Sequence, residues 1–289
     1  MDAAKCDIFL KVLDRGSFSR VAEELGYTPS GVSRSIAALE EEVGFPLLVR
    51  SRSGIHPTEN GRQLIPIFRQ MVYWDEQCQQ VSGEIRGVEK GNITIGANYS
   101  VSFQWLPRIL ARFEEDYPQI HVQILEGCGQ ELRTYLEERR VDFCLSSWQK
   151  GPWEWLPLRD DALVAWLPES HPLAQADAFP LSAFNDEPFI LTLPGRNSDT
   201  EQLLERHNIH PYIKFTTVDS FATYSMVEEG LGVSINNDLI AKNWKGRVKV
   251  LPLDPPQPLH LGILVPNLSA ASPAARKFVD YAKRMAAEL

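Results

Sequence analysis

The sequence predicts a multidomain α+β protein with an N-terminal winged helix-turn-helix, a long linker helix and a C-terminal α/β domain. Three observations predict it. Residues 17–43 read as two short helices broken at Gly26; an apolar stripe runs from Leu64 to Val88; from Ile93 onward strands and helices alternate. At 289 residues with 44% hydrophobic content, the chain exceeds one average domain and can fill more than one core.

The first of the two short helices opens at Ser17, a favourable N-cap. Phe18, Val21, Ala22 and Leu25 recur at helical spacing, and Gly26 permits the left-handed turn that ends it. The second starts at Thr28, whose hydroxyl can cap it, with Pro29 at the tolerated first helical position. Val32, Ile36, Leu39 and Val43 face the core, which turns Thr28, Ser30, Ser33 and Arg34 outward near the helix N-terminus. A recognition helix uses those positions in the DNA major groove. Taken alone, the stretch also fits an ordinary helical hairpin.

Gly44 to Arg62 follows as two short extended runs around a polar, basic, Gly-containing tip, the pattern of a wing. The residue order A-x-x-L is met by Ala22 and Leu25, and S-x-x-S-x-x-I-x-x-L-E by Ser30, Ser33, Ile36, Leu39 and Glu40. F-x-R followed by T-x-x-G is met by Leu48, Arg50, Thr58 and Gly61. On these residues the chain resembles the LysR-type transcriptional regulators. It departs at Pro29-Ser30, where many relatives have Gln-Pro, and at Leu48, where they have Phe. The resemblance implies that Thr28, Pro29, Ser30, Ser33, Arg34, Arg50 and Arg52 meet double-stranded DNA at an inverted-repeat operator.

Charge argues the other way at first. The chain is net −9, and its first 66 residues hold nine acidic residues against eight Lys and Arg. Distribution outweighs the total: Arg34, Arg50, Arg52 and Arg62 fall on the predicted recognition helix and wing, while Glu40, Glu41 and Glu42 lie toward the helix end. A dimer presents this basic set twice.

The linker helix, expected over 63–90, supplies that dimer. Leu64, Ile67, Met71, Trp74, Cys78, Val81, Ile85 and Val88 alternate spacings of three and four, a heptad seam. An amphipathic helix packed on its own domain would show the same stripe. The other faces carry Gln70, Asp75, Glu76, Gln79, Gln80 and Glu84, which favours pairing with a second copy through Ile67, Met71, Trp74, Cys78, Val81 and Ile85. In the family this helix is the dimerisation element, and tetramers are built as dimers of dimers.

The third part, 91–289, starts with the alternating run Ile93-Thr-Ile95-Gly96. It continues with a helix over Leu106–Tyr117, a strand over His121–Leu125, a helix over Glu131–Arg139 and a strand over Val141–Ser146. Leu106-Pro, Tyr117-Pro118, Val141-Asp142, His171-Pro-Leu-Ala174, Pro194-Gly195 and Val227-Glu-Glu-Gly230-Leu-Gly232 extend the resemblance over nearly the whole chain. It implies an effector domain of two lobes, like a type 2 periplasmic binding protein. Lobe 1 is then about 91–161 and 266–289, and lobe 2 about 162–265. Crossings fall near Asp160–Leu163 and Gly262–Pro266, Pro252–Pro258 reads as a stiff surface connection or, preferably, a simple loop, and a C-terminal helix from Pro273 to Glu288 packs on lobe 1.

In open α/β sheets ligands sit beyond the carboxyl ends of strands, where helix N-termini present free N–H groups. That rule selects Asn98, Tyr99, Ser100, Ser102, Gly127, Cys128, Ser147, Trp148, Arg196 and Asn197, with Phe221 on a further wall. Ser100 and Ser102 either hold the effector or merely cap the next helix. Arg196 either meets an anionic ligand or is simply solvated. Aromatic residues crowd these strand ends, so the expected effector is aromatic or carboxylate-bearing.

No signal-peptide pattern opens the chain and no apolar stretch is long enough to span a bilayer, so cytoplasmic residence is the expectation. Cys6, Cys78, Cys128 and Cys144 form no CxxC pair and read as buried thiols; no metal and no cofactor is expected. Peroxide sensors of the family use two cysteines in lobe 2, and all four here fall outside it. There is no G-x-S-x-G elbow, phosphate-cradling loop or H-E-x-x-H. The expected function is therefore effector-controlled transcription regulation rather than enzymatic. The alternatives are a ligand-binding protein or an enzyme with an appended helical oligomerisation hairpin.

Overall fold

The computed structural model describes residues 1–51, 54–86, 90–242 and 244–286, with backbone alone for 99–104 and 241. It divides into two compact units, Met1–Lys90 with Glu137–Arg140, and Gly91–Leu136 with Val141–Leu289.

In the first unit, α1 (Ala3–Arg15), α2 (Phe18–Leu25) and α3 (Pro29–Val43) begin at side-chain caps, Asp2, Ser17 and Thr28. They stop at Gly16, Gly26 and Gly44 in the left-handed conformation. β1 (Leu48–Ser51) and β2 (Gly54–Pro57) pair antiparallel as the wing. α4 then runs Glu59–Ile85, opening four residues before the expected linker because Thr58 caps it directly after the wing. Phe9, Val12, Val21, Val32, Ile36, Leu39, Leu47 and Phe68 form the core, with Phe9 and Phe68 edge to face at 5.5 Å.

Several family-pattern residues have structural work in this unit. Glu40 Oε1 accepts hydrogen bonds from the amides of Leu47 (2.7 Å) and Leu48 (3.1 Å), fixing the chain as it enters the wing. Thr58 Oγ1 accepts from the Gly61 amide and donates to the Pro46 carbonyl. A Cβ at Gly61 would lie 2.3 Å from the Leu47 carbonyl oxygen, so the first turn of α4 can approach the wing only with glycine there.

The second unit is a mixed α/β fold. Its elements in order are β3 (Gly91–Asn98), α5 (Tyr99–Asp116), β4 (Ile120–Gly127), α6 (Gly129–Glu137), β5 (Phe143–Ser147) and β6 (Glu154–Pro168), then β7 (Phe179–Pro180) and β8 (Pro188–Thr192). α7 (Asp199–Arg206), β9 (Tyr212–Thr217), α8 (Ser220–Glu228), β10 (Ser234–Asn237), α9 (Asp238–Ala241), β11 (Val248–Val265) and α10 (Pro273–Ala286) follow. One sheet has the order β10-β6-β11-β5-β3-β4, with β7 beside β11; β8 and β9 form a second. β3 is parallel to β4 and β5, and β8 to β9, as crossover helices require. β6 and β11 are antiparallel because the chain leaves lobe 1 on one and returns on the other.

Each lobe has its own core. Ile95, Phe113, Phe143, Ile263 and Phe278 belong to the first, where α10 packs, and Leu167, Phe179, Phe184, Phe189 and Ile235 to the second. Leu261 already pairs with Ser147 of β5 and belongs to the first core, so β11 rejoins lobe 1 upstream of the expected Gly262–Pro266. Pro252–Pro258 is not a loop. It lies inside β11, which keeps its pairing to β6 across a register shift between Pro252 and Gln257. Among the described residues no helix is long and apolar enough to cross a membrane.

Candidate nucleic-acid interface and ligand cleft

The N-terminal turn of α3 is an open polar surface. Thr28 Oγ1 accepts from the Gly31 amide at 3.1 Å and lies 3.1 Å from Ser30 Oγ. Thr28, Pro29, Ser30 and Arg34 are exposed and Ser33 is half-buried, while Val32, Ile36 and Leu39 on the opposite face are buried. Exposed Tyr27 flanks this surface, a residue the helical periodicity passed over because it lies in the turn between helices. On β1 the Arg50 guanidinium lies 4.4 Å from the Phe18 ring centroid. Arg62 is paired with Glu59 at 2.8 Å, which neutralises it. Arg52, between β1 and β2 in the sequence, lies outside the described residues.

α4 has two different halves. Phe68 is buried against α1, and Leu64 and Met71 pack at the edge of that core. Ile67, Trp74 (51% exposed), Cys78, Val81 and Ile85 (81% exposed) leave an apolar stripe uncovered. Cys78 is therefore an exposed thiol rather than a buried one.

In the second unit the strand ends and helix starts of both lobes line a partly open cavity of about 40 Å³. Lobe 1 lines it with Asn98, Cys128 and Gly129. Lobe 2 brings Thr192, Leu193, Ser198, Asp199, Thr200 and Ser220, and Asn236, Asn237 and Ile240 complete the wall. Such a volume holds a water molecule or little more, so the lobes are drawn together.

Polar contacts hold them there. Arg196 of lobe 2 donates to Glu131 of α6 at 2.7 Å, Ser147 of β5 donates to Asp199 at 2.9 Å, and Cys128 Sγ lies 3.7 Å from the Arg196 carbonyl oxygen. Gly129 has φ +33°, and a Cβ on it would lie 2.6 Å from the carbonyl oxygen of Asn197 across the cleft. Burial, with Glu131 adding to it, pushes the Cys128 thiol up to about 12, so it stays protonated at neutral pH. Burial likewise raises the pKa of Asp199; the Ser147 hydrogen bond and the field of Arg206 oppose the rise.

This geometry, a capped recognition helix with a wing and a two-lobed cleft, agrees with comparison to known proteins. Residues 4–62 match the family model described as bacterial regulatory helix-turn-helix protein, lysR family, and residues 86–287 match the LysR substrate binding domain. The chain belongs to the LysR family of transcriptional regulators. Among similar proteins is the uncharacterized HTH-type transcriptional regulator YvbU of Bacillus subtilis (strain 168), 28% identical over 288 residues, 99% of each chain. A full-length OxyR from Pseudomonas aeruginosa superposes with TM-score 0.73 at 21% identity, over 98% of this chain and 95% of that one. The effector binding domain of QuiR in complex with shikimate gives TM-score 0.60 at 24% identity, over 69% of this chain and 98% of that one. At those identities the two structures speak for the fold alone.

This LysR-type regulator is thus a DNA-binding protein with an effector-binding domain, and not an enzyme. Of the cleft residues expected from strand ends, Asn98 and Cys128 line the cavity, and Ser147 and Arg196 act at its closure. Gly127 ends β4 against Glu131 and Leu132. Asn197 is exposed, with only its backbone near the cleft. Trp148 is 56% exposed, and Phe221 is exposed with its ring edge on Trp244 at 5.3 Å; neither lines the cavity. Tyr99, Ser100 and Ser102 begin α5, but their side chains lie outside the described residues. Ser198 ends the strand-end run Pro194–Ser198 and Ser220 lies in the run Val218–Thr223 expected as a further wall, whereas Thr192, Asp199, Thr200, Asn236 and Asn237 were not expected. The capping box Ser198-x-x-Glu201 marks the start of α7 and could have pointed to Asp199.

Proposed function

We propose that this regulator pairs through the exposed stripe of α4, assembles as a dimer of dimers and places paired winged helices on an inverted-repeat operator. The observation that carries this reading is the N-terminal turn of α3, with Thr28, Pro29, Ser30 and Arg34 all turned to solvent over a buried apolar face. Ser33, Arg50 and Arg52 extend the contact, and dimer symmetry sets the half-site spacing. The site of action is the cytoplasm, where a bacterial regulator meets DNA.

A small effector entering between the lobes controls the outcome. To do so it must bind two arrangements of the protein with different affinity. The contacts of Arg196 with Glu131 and of Ser147 with Asp199 are the ones its entry disturbs. The helix-start amides beyond the strand ends suit a carboxylate end on that effector. The aromatic effector suggested by the sequence has no support in the cavity, whose described lining carries no aromatic side chain.

The test is selection of bound fragments from random duplex DNA with the full-length protein at two salt concentrations. Enrichment of an inverted repeat with a T and A pair around a short spacer is the expected result. Salt-sensitive binding without enrichment, or no binding, overturns the operator reading.

A further inference from the structure

Asp199 occupies the first position of α7 and lines the cavity between the lobes. Among the described residues its carboxylate accepts a single hydrogen bond, from Ser147 Oγ at 2.9 Å, and makes no ion pair. An ionised carboxylate offers about four acceptor sites, so most of its capacity is unused.

The surroundings do not make up the deficit. Among the described residues, no Lys, Arg or His lines the cavity. Thr192 is committed to Thr223, Thr200 to the Ile235 carbonyl, Asn236 to Ser234 and Asn237 to Asp161. Arg196 is held at the rim by Glu131. Arg206 reaches Asp199 only as a distant field. Burial raises the Asp199 pKa, which is what a carboxylate does when it is withdrawn from water faster than it gains partners. A cation delivered to this position would be paired with little competition.

We propose that Asp199 is a ligand-recognising residue of the cleft and that the effector carries a protonated amine which pairs with it. The proposal rests on the reading of the cleft as the effector site and deepens it by naming the chemical class. The starts of α5 and α6 on the facing lobe suit a carboxylate at the other end of such a molecule, so amino acids are the natural first probes.

The full-length protein is titrated by calorimetry and thermal melting with the common amino acids, putrescine and agmatine. Matched hydroxy acids serve as controls, lactate against alanine and malate against aspartate. The expected result is that an amine-bearing probe binds, its hydroxy counterpart binds at least about tenfold more weakly, and Asp199→Asn weakens the amine by about tenfold or more. Ser147→Ala, which removes the donor but leaves the carboxylate, keeps the preference for the amine and guards against a folding failure of the first variant. The inference is overturned if hydroxy acids bind as well as amines, if Asp199→Asn binds the amine as the parent does, or if no amine in the panel binds. A ligand that survives Asp199→Asn but is lost when Ser220→Leu fills the cavity overturns the amine and leaves the cleft standing. One indifferent to both variants removes the effector from the cleft altogether.

Discussion

The face of α3 and the cleft between the lobes solve opposite problems. The first is open: its side chains stand in solvent on a helix capped by Thr28, and they need no rearrangement to meet a surface as large as a DNA groove. The second is narrowed to about 40 Å³, with Glu131–Arg196 and Ser147–Asp199 bridging the lobes. A preformed contact face gives affinity directly. A closed cleft makes its ligand part the lobes first, and that requirement is what allows a small molecule to change the state of the protein.

The largest test of the open face concerns pairing rather than the face itself. Trp74 is half exposed on the uncovered stripe of α4, away from the core around Phe68. Trp74→Glu places a charge in the seam, and the protein is expected to sediment as a monomer with its fold intact. Operator affinity then falls by about 100-fold or more, since the second recognition helix no longer benefits from the first. A variant that stays dimeric would move the pairing surface elsewhere.

A smaller effect separates reading from positioning within the same face. Arg34→Ala should cost about 1–3 kcal/mol on the selected operator and relax preference at one base position. Arg52→Ala should weaken all sequences alike and reduce the slope of log affinity against log salt by about 1. Equal losses on operator and random DNA for both variants would mean that α3 positions the protein without reading sequence.

The same contrast explains what could be read from the chain. The winged helix-turn-helix is contiguous, and its turns carry local chemical reasons: Ser17 and Thr28 as caps and Gly26 for a left-handed turn. Those reasons are visible in sequence. The cleft is assembled from separate strand ends, and of the residues selected by the rule that ligands lie beyond them, Asn98 and Cys128 line the cavity. It could not tell which way each side chain turns. Trp148 and Phe221 stand at the right ends but face outward, whereas Asn236 and Asn237 close β10 and face in. That choice depends on strand pairing such as Asn236 with Val164, which no local pattern encodes. The proline-rich stretch Pro252–Pro258 misleads for the same reason: it reads locally as a loop, yet it lies inside β11, whose pairing to β6 resumes at Gln257 in a shifted register.

The smallest expected effect probes the closed state without any ligand. Asp199 has its pKa raised above the ordinary 3.8, with burial as the main cause and the Ser147 hydrogen bond and Arg206 opposing it. The folded protein therefore binds more protons than the unfolded chain between those two pKa values. Stability then decreases as pH rises through that window and stays at the lower level above it. Asp199→Asn keeps an acceptor for Ser147 and removes the charge. Its melting midpoint should exceed that of the parent at neutral pH, by about 2–4 °C for each kcal/mol relieved, and the two should converge as pH approaches 3.8. The Glu131–Arg196 pair is present in both proteins and cancels in the comparison. A variant less stable than the parent at neutral pH would show that Asp199 is stabilised where it stands, and the closed cleft would then be a resting state in its own right rather than one held short of a partner.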